Sequence, residues 1–274
     1  MEEVGLKRKE PKRKDRRNMK QKSTAVVISQ EKIGEGIFDM WIATDLASYA
    51  KPGQFIAIYP KDKSTLLPRP ISICEIADSG KALRIVYRVA GTGTEEFSHY
   101  RKGDEVSVLG VLGNGFPVKE AEGKEVFLIG GGIGIPPMLE LAKQVRGHRQ
   151  ILAGYRGGSL FLKEDLEKYG EVYVATEDGS AGTKGNVMDA IAKNQLKADI
   201  IFACGPMPML KAIKQYAQQE NIPAYLSLEE HMACGVGACL GCVVKTKKID
   251  SHSHVKNARI CTDGPVFEAS EVDI

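Results

Sequence analysis

The sequence predicts a small antiparallel β-barrel, then a doubly wound α/β sheet, then a short cysteine-rich segment. Three observations carry this. Up to about residue 118 the chain consists of short β-branched or aromatic runs separated by turn residues. Beyond Gly123 the rhythm becomes strand–helix alternation. In the last 41 residues four of the six cysteines crowd together, among too few apolar side chains for a separate core.

The barrel strands are expected over residues 24–29, 38–44, 54–59, 71–76, 83–89 and 105–109. Leu83, Ile85, Tyr87 and Val89 alternate with more polar neighbours, as a half-buried strand requires. Six such strands at this spacing suit a small closed barrel. The second part predicts strands over 125–129, 150–155, 171–176, 199–203 and 224–228. Helices are expected over 136–145, 160–169, 187–193 and 207–220, the pattern of a parallel sheet covered on both faces.

Composition sets the bounds. The 274 residues carry a net charge of +3, with 43% hydrophobic and 27% charged side chains, which excludes wholesale disorder. Residues 1–22 hold ten basic and four acidic side chains, so the rest of the chain is mildly acidic, at −3. This tail is expected to be disordered, and Met19 within it is a candidate alternative start. No aromatic residue interrupts its charges to stack on bases, which argues against a nucleic-acid arm. The longest uncharged apolar run, 126–139, is 14 residues with four Gly and two Pro, too short and broken to span a membrane. Without an apolar secretory core, and with clustered rather than paired cysteines, the expected compartment is the cytoplasm.

Cys234-x4-Cys239-x2-Cys242 is followed, after 18 intervening residues, by Cys261. Three bunched thiols and a distant fourth form the plant-type pattern for a [2Fe–2S] cluster. The alternative is a four-cysteine zinc knuckle, which usually shows two short Cys pairs. Gly235, Gly237 and Gly241 allow a tight loop with amides turned towards the sulfurs. Cys74 and Cys204 fall outside the set, and His252 and His254 read as surface residues.

Gly130-Gly131-Gly132-Ile133-Gly134-Ile135-Pro136-Pro137 follows a predicted strand and opens a helix, a setting that suits a pyrophosphate. The third glycine of the usual dinucleotide fingerprint is replaced by Pro137. Cys204-Gly205-Pro206-Met207 ends another strand at the sheet edge where open α/β folds bind ligands. In the barrel, Arg69-Pro70-Ile71-Ser72 offers a cation and a hydroxyl. Gly91-Thr92-Gly93-Thr94 is a phosphate-compatible turn before a short helix bearing Glu95 and Glu96.

In this order the motifs resemble the ferredoxin–NADP reductase superfamily over essentially residues 23–274. The resemblance implies four parts: the tail (1–22), an FAD-binding barrel (23–121), an NAD-binding domain (122–228) and a [2Fe–2S] segment (229–274). It assigns Arg69, Pro70, Ile71, Ser72, Gly91, Thr92 and Thr94 to FAD, and Gly131, Gly132, Gly134, Cys204, Gly205 and Pro206 to NAD. The stretch Glu229 to Cys239, with Cys261-Thr262-Asp263-Gly264-Pro265-Val266-Phe267, is similar to the electron transfer subunits of two-subunit, NAD-linked dihydroorotate dehydrogenases. His231 stands where that family suggests Arg, Thr92 where it suggests Lys, and the spacer before Cys261 is long.

That likeness implies an FMN-containing catalytic partner, two copies of each subunit, and a role in pyrimidine biosynthesis. Dihydroorotate oxidation then belongs to the partner, and no catalytic residue is expected in this chain. Electrons would run from the partner's FMN through the cluster and FAD to NAD, because NAD takes a hydride while a cluster passes single electrons. Glu177 and Asp178 would repel a 2′-phosphate and favour NAD over NADP, with Lys184 nearby in opposition. One alternative is a related NAD(P)H-handling subunit of a ferredoxin-linked, sulfide- or hydrogen-metabolising complex. A more distant one is a redox-sensing iron–sulfur protein that binds nucleic acid through its tail.

Overall fold

The computed structural model describes residues 21–247, 249 and 254–274. Most of the basic tail, including Met19, and also His252 lie outside the described residues. Six strands close an antiparallel barrel: β1 (Gln21–Gly34), β2 (Ile37–Ala43), β3 (Phe55–Tyr59), β4 (Arg69–Ile76), β5 (Ala82–Arg88) and β6 (Glu105–Leu112). Their order around it is β1-β2-β5-β4-β3-β6. β1 is longer than its apolar pattern predicts because it serves two neighbours. Residues 21–26 pair with β6 and residues 26–34 with β2, so one bent strand closes the ring. The inward positions, among them Val27, Met40, Ile42, Ile56, Ile58, Ile73, Leu83, Ile85 and Val108, fill the interior. The short helix α1 (Thr92–Ser98) crosses one end.

The second sheet contains β7 (Glu125–Gly131), β8 (His148–Tyr155), β9 (Glu171–Thr176), β10 (Thr183–Lys184), β11 (Ile200–Cys204), β12 (Ala224–Ser227) and β15 (Val266–Glu268). It runs in the order β10-β9-β8-β7-β11-β12-β15. All neighbours are parallel except the last pair. The helices are α2 (Pro136–Gln144), α3 (Lys163–Glu167), α4 (Val187–Lys193) and α5 (Met207–Gln219). Alternation along β7 separates two cores. Val126 and Leu128 pack with Met138, Leu141 and Leu166 on the α2–α3 side, and Phe127 and Ile129 with Val187, Ile191, Leu210 and Ile213 on the α4–α5 side.

Two expectations need correction. The helix expected over 160–169 is confined to α3, because Leu162 takes a left-handed backbone (φ 63°) that no helix continues through. The parallel sheet also gains the antiparallel edge strand β15 from the cysteine-rich segment. That segment therefore does not depend on a metal site alone for stability. Cys242, Val244, Ile260, Cys261, Phe267 and Val272 are buried in the same core as α4 and α5, together with Leu109 and Leu112 of the barrel.

A charged seam fixes the barrel against the sheet. Arg84 on β5 forks onto Asp39 (2.7 Å), Glu75 (3.2 Å) and, across the seam, Asp165 of α3 (2.9 Å). Lys143 of α2 meets Glu75 and Asp78, and the buried Glu140 carboxylate accepts the Ile76 amide at 2.7 Å. Asp39 is only 5% exposed, so removing its partner strands a buried charge. Arg84→Met is expected to cost about 3 kcal/mol of unfolding free energy in denaturant titrations. A loss below about 1 kcal/mol would show the seam to be only a surface network.

Candidate functional site

The two barrel motifs converge. Arg69 opens β4, and its Nη1 donates to the Leu67 carbonyl at 2.7 Å. Its guanidinium lies against Gly93, where an added methyl would sit 2.9 Å from Nε. The Arg-x-x-Ser element and the Gly-Thr turn thus share one surface. Gly91 and Thr92 are exposed there. Thr94 is buried, and its hydroxyl is used inside the turn: it accepts from the Ala90 and Gly91 amides at 2.8 and 3.2 Å and donates to the Gly91 carbonyl at 2.9 Å. Thr94 therefore shapes the turn. Pro70, Ile71 and Ser72 pair with Ala57, Ile56 and Phe55 of β3. Ile71 packs on the barrel core, and Ser72 is half-buried.

The six residues expected at the dinucleotide site also lie together, with Gly131, Gly134 and Cys204 buried. β7 and β11 are neighbours, with Cys204 opposite Gly130, at the switch point where the strand order reverses. A methyl added at Gly134 would lie 2.2 Å from the Cys204 carbonyl oxygen. One at Gly131 would lie 2.6 Å from Met209 Sδ and 3.1 Å from Pro206, and one at Gly205 2.4 Å from Met209 Cε. The glycines exist to let these loops touch. Burial, with Glu229 nearby, pushes the Cys204 thiol up to about 12, so it stays neutral in the core. Arg88, from the end of β5, brings Nη2 within 3.3 Å of a methyl position at Gly132. Desolvation raises the Glu229 carboxyl, and the Arg88 charge opposes the rise. Arg88 did not stand out in the sequence, and Glu229 figured there only as the start of the cysteine-rich stretch.

Glu177 and Asp178 follow β9 and are exposed. The Asp178 carboxylate accepts the Ser180 hydroxyl (2.6 Å) and amide (2.9 Å), which hold its pKa below the usual range. The stem of Lys184 lies across Gly179 beside it.

The cysteines are gathered by two devices. Between Cys234 and Cys242 the chain is an irregular loop with Gly235 and Gly237 at positive φ (68° and 87°). The amides of Val236, Ala238 and Cys239 point at Cys234 Sγ from 3.3–3.4 Å. Burial works against its thiolate, but these amides win and bring the thiol down to about 6. The two ends of the long spacer before Cys261 pair as antiparallel strands, β13 (Val243–Lys245) with β14 (Asn257–Arg259). The base of this pair sets Cys242 alongside Cys261, and the Ile260 amide donates to the Cys242 carbonyl at 2.9 Å. Burial and Cys242 push the Cys261 thiol up to about 12.

The thiols influence one another: Cys239 helps to lower the Cys234 thiol, while Cys242 and Cys234 help to raise the Cys261 thiol. Among the described residues no three His, Cys, Asp or Glu side chains surround one point. The protein offers four thiols, at the spacing of three bunched and one distant, in one segment. The donor set fits a [2Fe–2S] cluster. His231 and His254 are exposed.

Barrel contacts anchor this segment. Asn114 donates to the Gly264 and Asp263 carbonyls, a methyl at Gly113 would meet Pro265 at 2.5 Å, and Gly235 rests on Leu109 and Leu112. Arg259 clamps Asp263 at 2.9 Å and reaches the Gly237 carbonyl at 3.4 Å. The spacing of Arg259 and Asp263 around Cys261 was a readable signal, while Asn114 had none. Val236 (40% exposed), Leu240 (51%) and Ala238 form an apolar rim around the exposed Cys239.

The family model for the iron–sulfur cluster binding domain of dihydroorotate dehydrogenase B matches residues 229–273. The chain is 42% identical over 258 residues to the dihydroorotate dehydrogenase B (NAD+) electron transfer subunit of Bacillus velezensis, covering 92% of this chain and 98% of the relative. It is 41% identical over 254 residues to that of Listeria welshimeri, covering 90% and 97%. Among solved structures, an NADH-dependent reduced ferredoxin–NADP oxidoreductase superposes with a TM-score of 0.80 at 31% identity, covering 92% and 90%. A ferredoxin NADP+ reductase from Neisseria gonorrhoeae with bound FAD and NADP gives 0.61 at 16% identity over 72% and 91%, a likeness of fold alone.

Proposed function

Because the chain belongs to the family of dihydroorotate dehydrogenase B (NAD+) electron transfer subunits, we propose that it carries electrons from an FMN-bearing catalytic partner to NAD+. It is the NAD-linked flavin and iron–sulfur subunit of an oxidoreductase serving pyrimidine biosynthesis, and its cofactors are FAD, a [2Fe–2S] cluster and NAD. When bound, the cluster passes single electrons and FAD holds one or two, which matches a one-electron carrier to hydride chemistry. The residues of this chain bind, orient and insulate those groups. The observation that carries the reading is the placement of the thiols on the seam where β6 of the barrel, β15 and the sheet core meet.

Within this reading Arg69, Pro70, Ile71, Ser72, Gly91 and Thr92 hold FAD, with Thr94 setting the turn. Gly131, Gly132, Gly134, Cys204, Gly205 and Pro206 form the NAD cradle. Cys234 and Cys239 hold one iron, Cys242 and Cys261 the other. The apolar rim around Cys239 suits a protein partner, and the assembly is two copies of each subunit in the cytoplasm. No helix among the described residues is long and apolar enough to cross a membrane.

Co-expression with a dihydroorotate dehydrogenase catalytic subunit tests this. The expected product is a stable complex with one FMN and one FAD per pair that forms NADH and orotate from dihydroorotate. A complex that fails to form, or that ignores dihydroorotate, would reject the assignment in favour of a ferredoxin-linked partner, to which the 31% likeness also points.

The acidic pair gives a separate test. Joint Glu177→Gln and Asp178→Asn replacement keeps the turn hydrogen bonds and removes two negative charges. It is expected to raise kcat/KM for NADP relative to NAD roughly fivefold to tenfold, the size of a solvent-screened charge contact. Dye-linked oxidation of NADH and NADPH measures the ratio. An unchanged ratio would place the 2′-position elsewhere.

A further inference from the structure

Buried hydroxyls in folded proteins are almost always partnered. Among the described residues only Ser23 Oγ and Thr262 Oγ1 are buried without a hydrogen-bond partner. Thr262 directly follows Cys261, and its side chain is pressed onto Gly237, in the loop between Cys234 and Cys239. A methyl added at Gly237 would lie 2.8 Å from Thr262 Cγ2 and 3.2 Å from Oγ1. The polar groups around it are already engaged. The Gly237 amide bears on Cys261 Sγ, the Gly237 carbonyl takes Arg259 Nη1, and the Asp263 carboxylate takes the rest of that guanidinium.

No cysteine sulfur takes this hydroxyl either, so it is left unpartnered between the two cysteine-bearing stretches, where the bound group would lie. Resting on the cluster reading above, we propose that the Thr262 hydroxyl donates its proton to a sulfur of the [2Fe–2S] group and raises the potential of that group. Reduction adds one negative charge to the cluster and its thiolates, so a donor aimed at them favours the reduced form. Hydrogen bonds to cluster sulfurs are among the levers that set such potentials. The cysteine spacing itself requires no hydroxyl at this position.

The test is an EPR-monitored redox titration of the holoprotein as Thr262→Val, which keeps the shape and loses the hydroxyl, and as Thr262→Ser, which keeps the hydroxyl. With two irons per chain retained, Thr262→Val is expected to lower the midpoint so that the reduced-to-oxidised ratio at a fixed potential falls about tenfold, about 59 mV for one electron. Thr262→Ser should stay within about twofold of the parent protein, and reduction of FAD by NADH should be the same in all three. A shift smaller than about threefold in Thr262→Val with its irons intact overturns the proposal alone. Thr262→Ala stands in if the Val variant fails to assemble. Loss of the cluster from Val and Ala but not Ser makes the hydroxyl an assembly determinant and also overturns the tuning role. A parent protein without two irons rejects the cluster reading itself.

Discussion

Cys261→Ser is expected to abolish the cluster and with it electron delivery, while leaving the flavin and nucleotide parts folded. Cys261 is 1% exposed and sits at the base of the β13–β14 pair against Cys242. Serine has nearly the same shape, but its hydroxyl does not ionise to a soft ligand at neutral pH, so one iron loses half of its protein thiolates. The expected preparation contains fewer than about half an iron per chain and retains FAD. With a catalytic partner, dihydroorotate-dependent NADH formation should fall more than about hundredfold, beyond the losses typical of groups that only support a ligand. Dye-linked NADH oxidation, which needs the barrel and the glycine loops alone, should change less than about twofold. The separation is expected because β15 and the shared core pack the segment against the sheet. If the variant keeps two irons, Cys261 is not a ligand. If both activities collapse together, the cluster segment is not energetically separable from the sheet.

That packing is the part of the architecture the sequence conceals. The six barrel strands and the β7–β12 alternation are legible because each is a local pattern: period two along residues 83–89, or an apolar run ending in glycine at 125–131. The cysteine spacing is legible because cluster ligation imposes it directly. Val266–Glu268 is three residues long and carries no period, and only its distant pairing with β12 makes it a strand. Residues 160–169 look helical by propensity, yet Leu162 turns left-handed as its side chain joins the α2–α3 core. Tertiary packing there overrides local preference. Arg84 and Thr262 are hidden for the same reason. The role of each depends on which groups the fold leaves beside it, and no window along the chain contains them.

Gly134→Ala is expected to remove nucleotide binding and weaken the whole sheet, although only one methyl is added. The loop Gly132–Gly134 is a single tight turn between the end of β7 and the start of α2. Its backbone has ordinary φ at Gly134, so the constraint is space and not conformation. The added carbon would lie 2.2 Å from the Cys204 carbonyl oxygen, 2.5 Å from its carbonyl carbon and 2.7 Å from Gly205 Cα. All three are backbone atoms of the adjacent strand end, and none can rotate away. Relief requires β7 and β11 to part just where Gly130 and Cys204 pair at the switch point. The cost is expected near 3 kcal/mol, the upper range for overpacking, read as a lowered denaturation midpoint with an unchanged slope. The parting also displaces the touching Gly-rich and Cys-Gly-Pro loops, so the Kd for NAD+ should rise more than about tenfold by titration calorimetry. A Gly134→Ala protein that binds NAD+ normally would show that the dinucleotide does not use this crevice, and the proposed cradle would have to be abandoned.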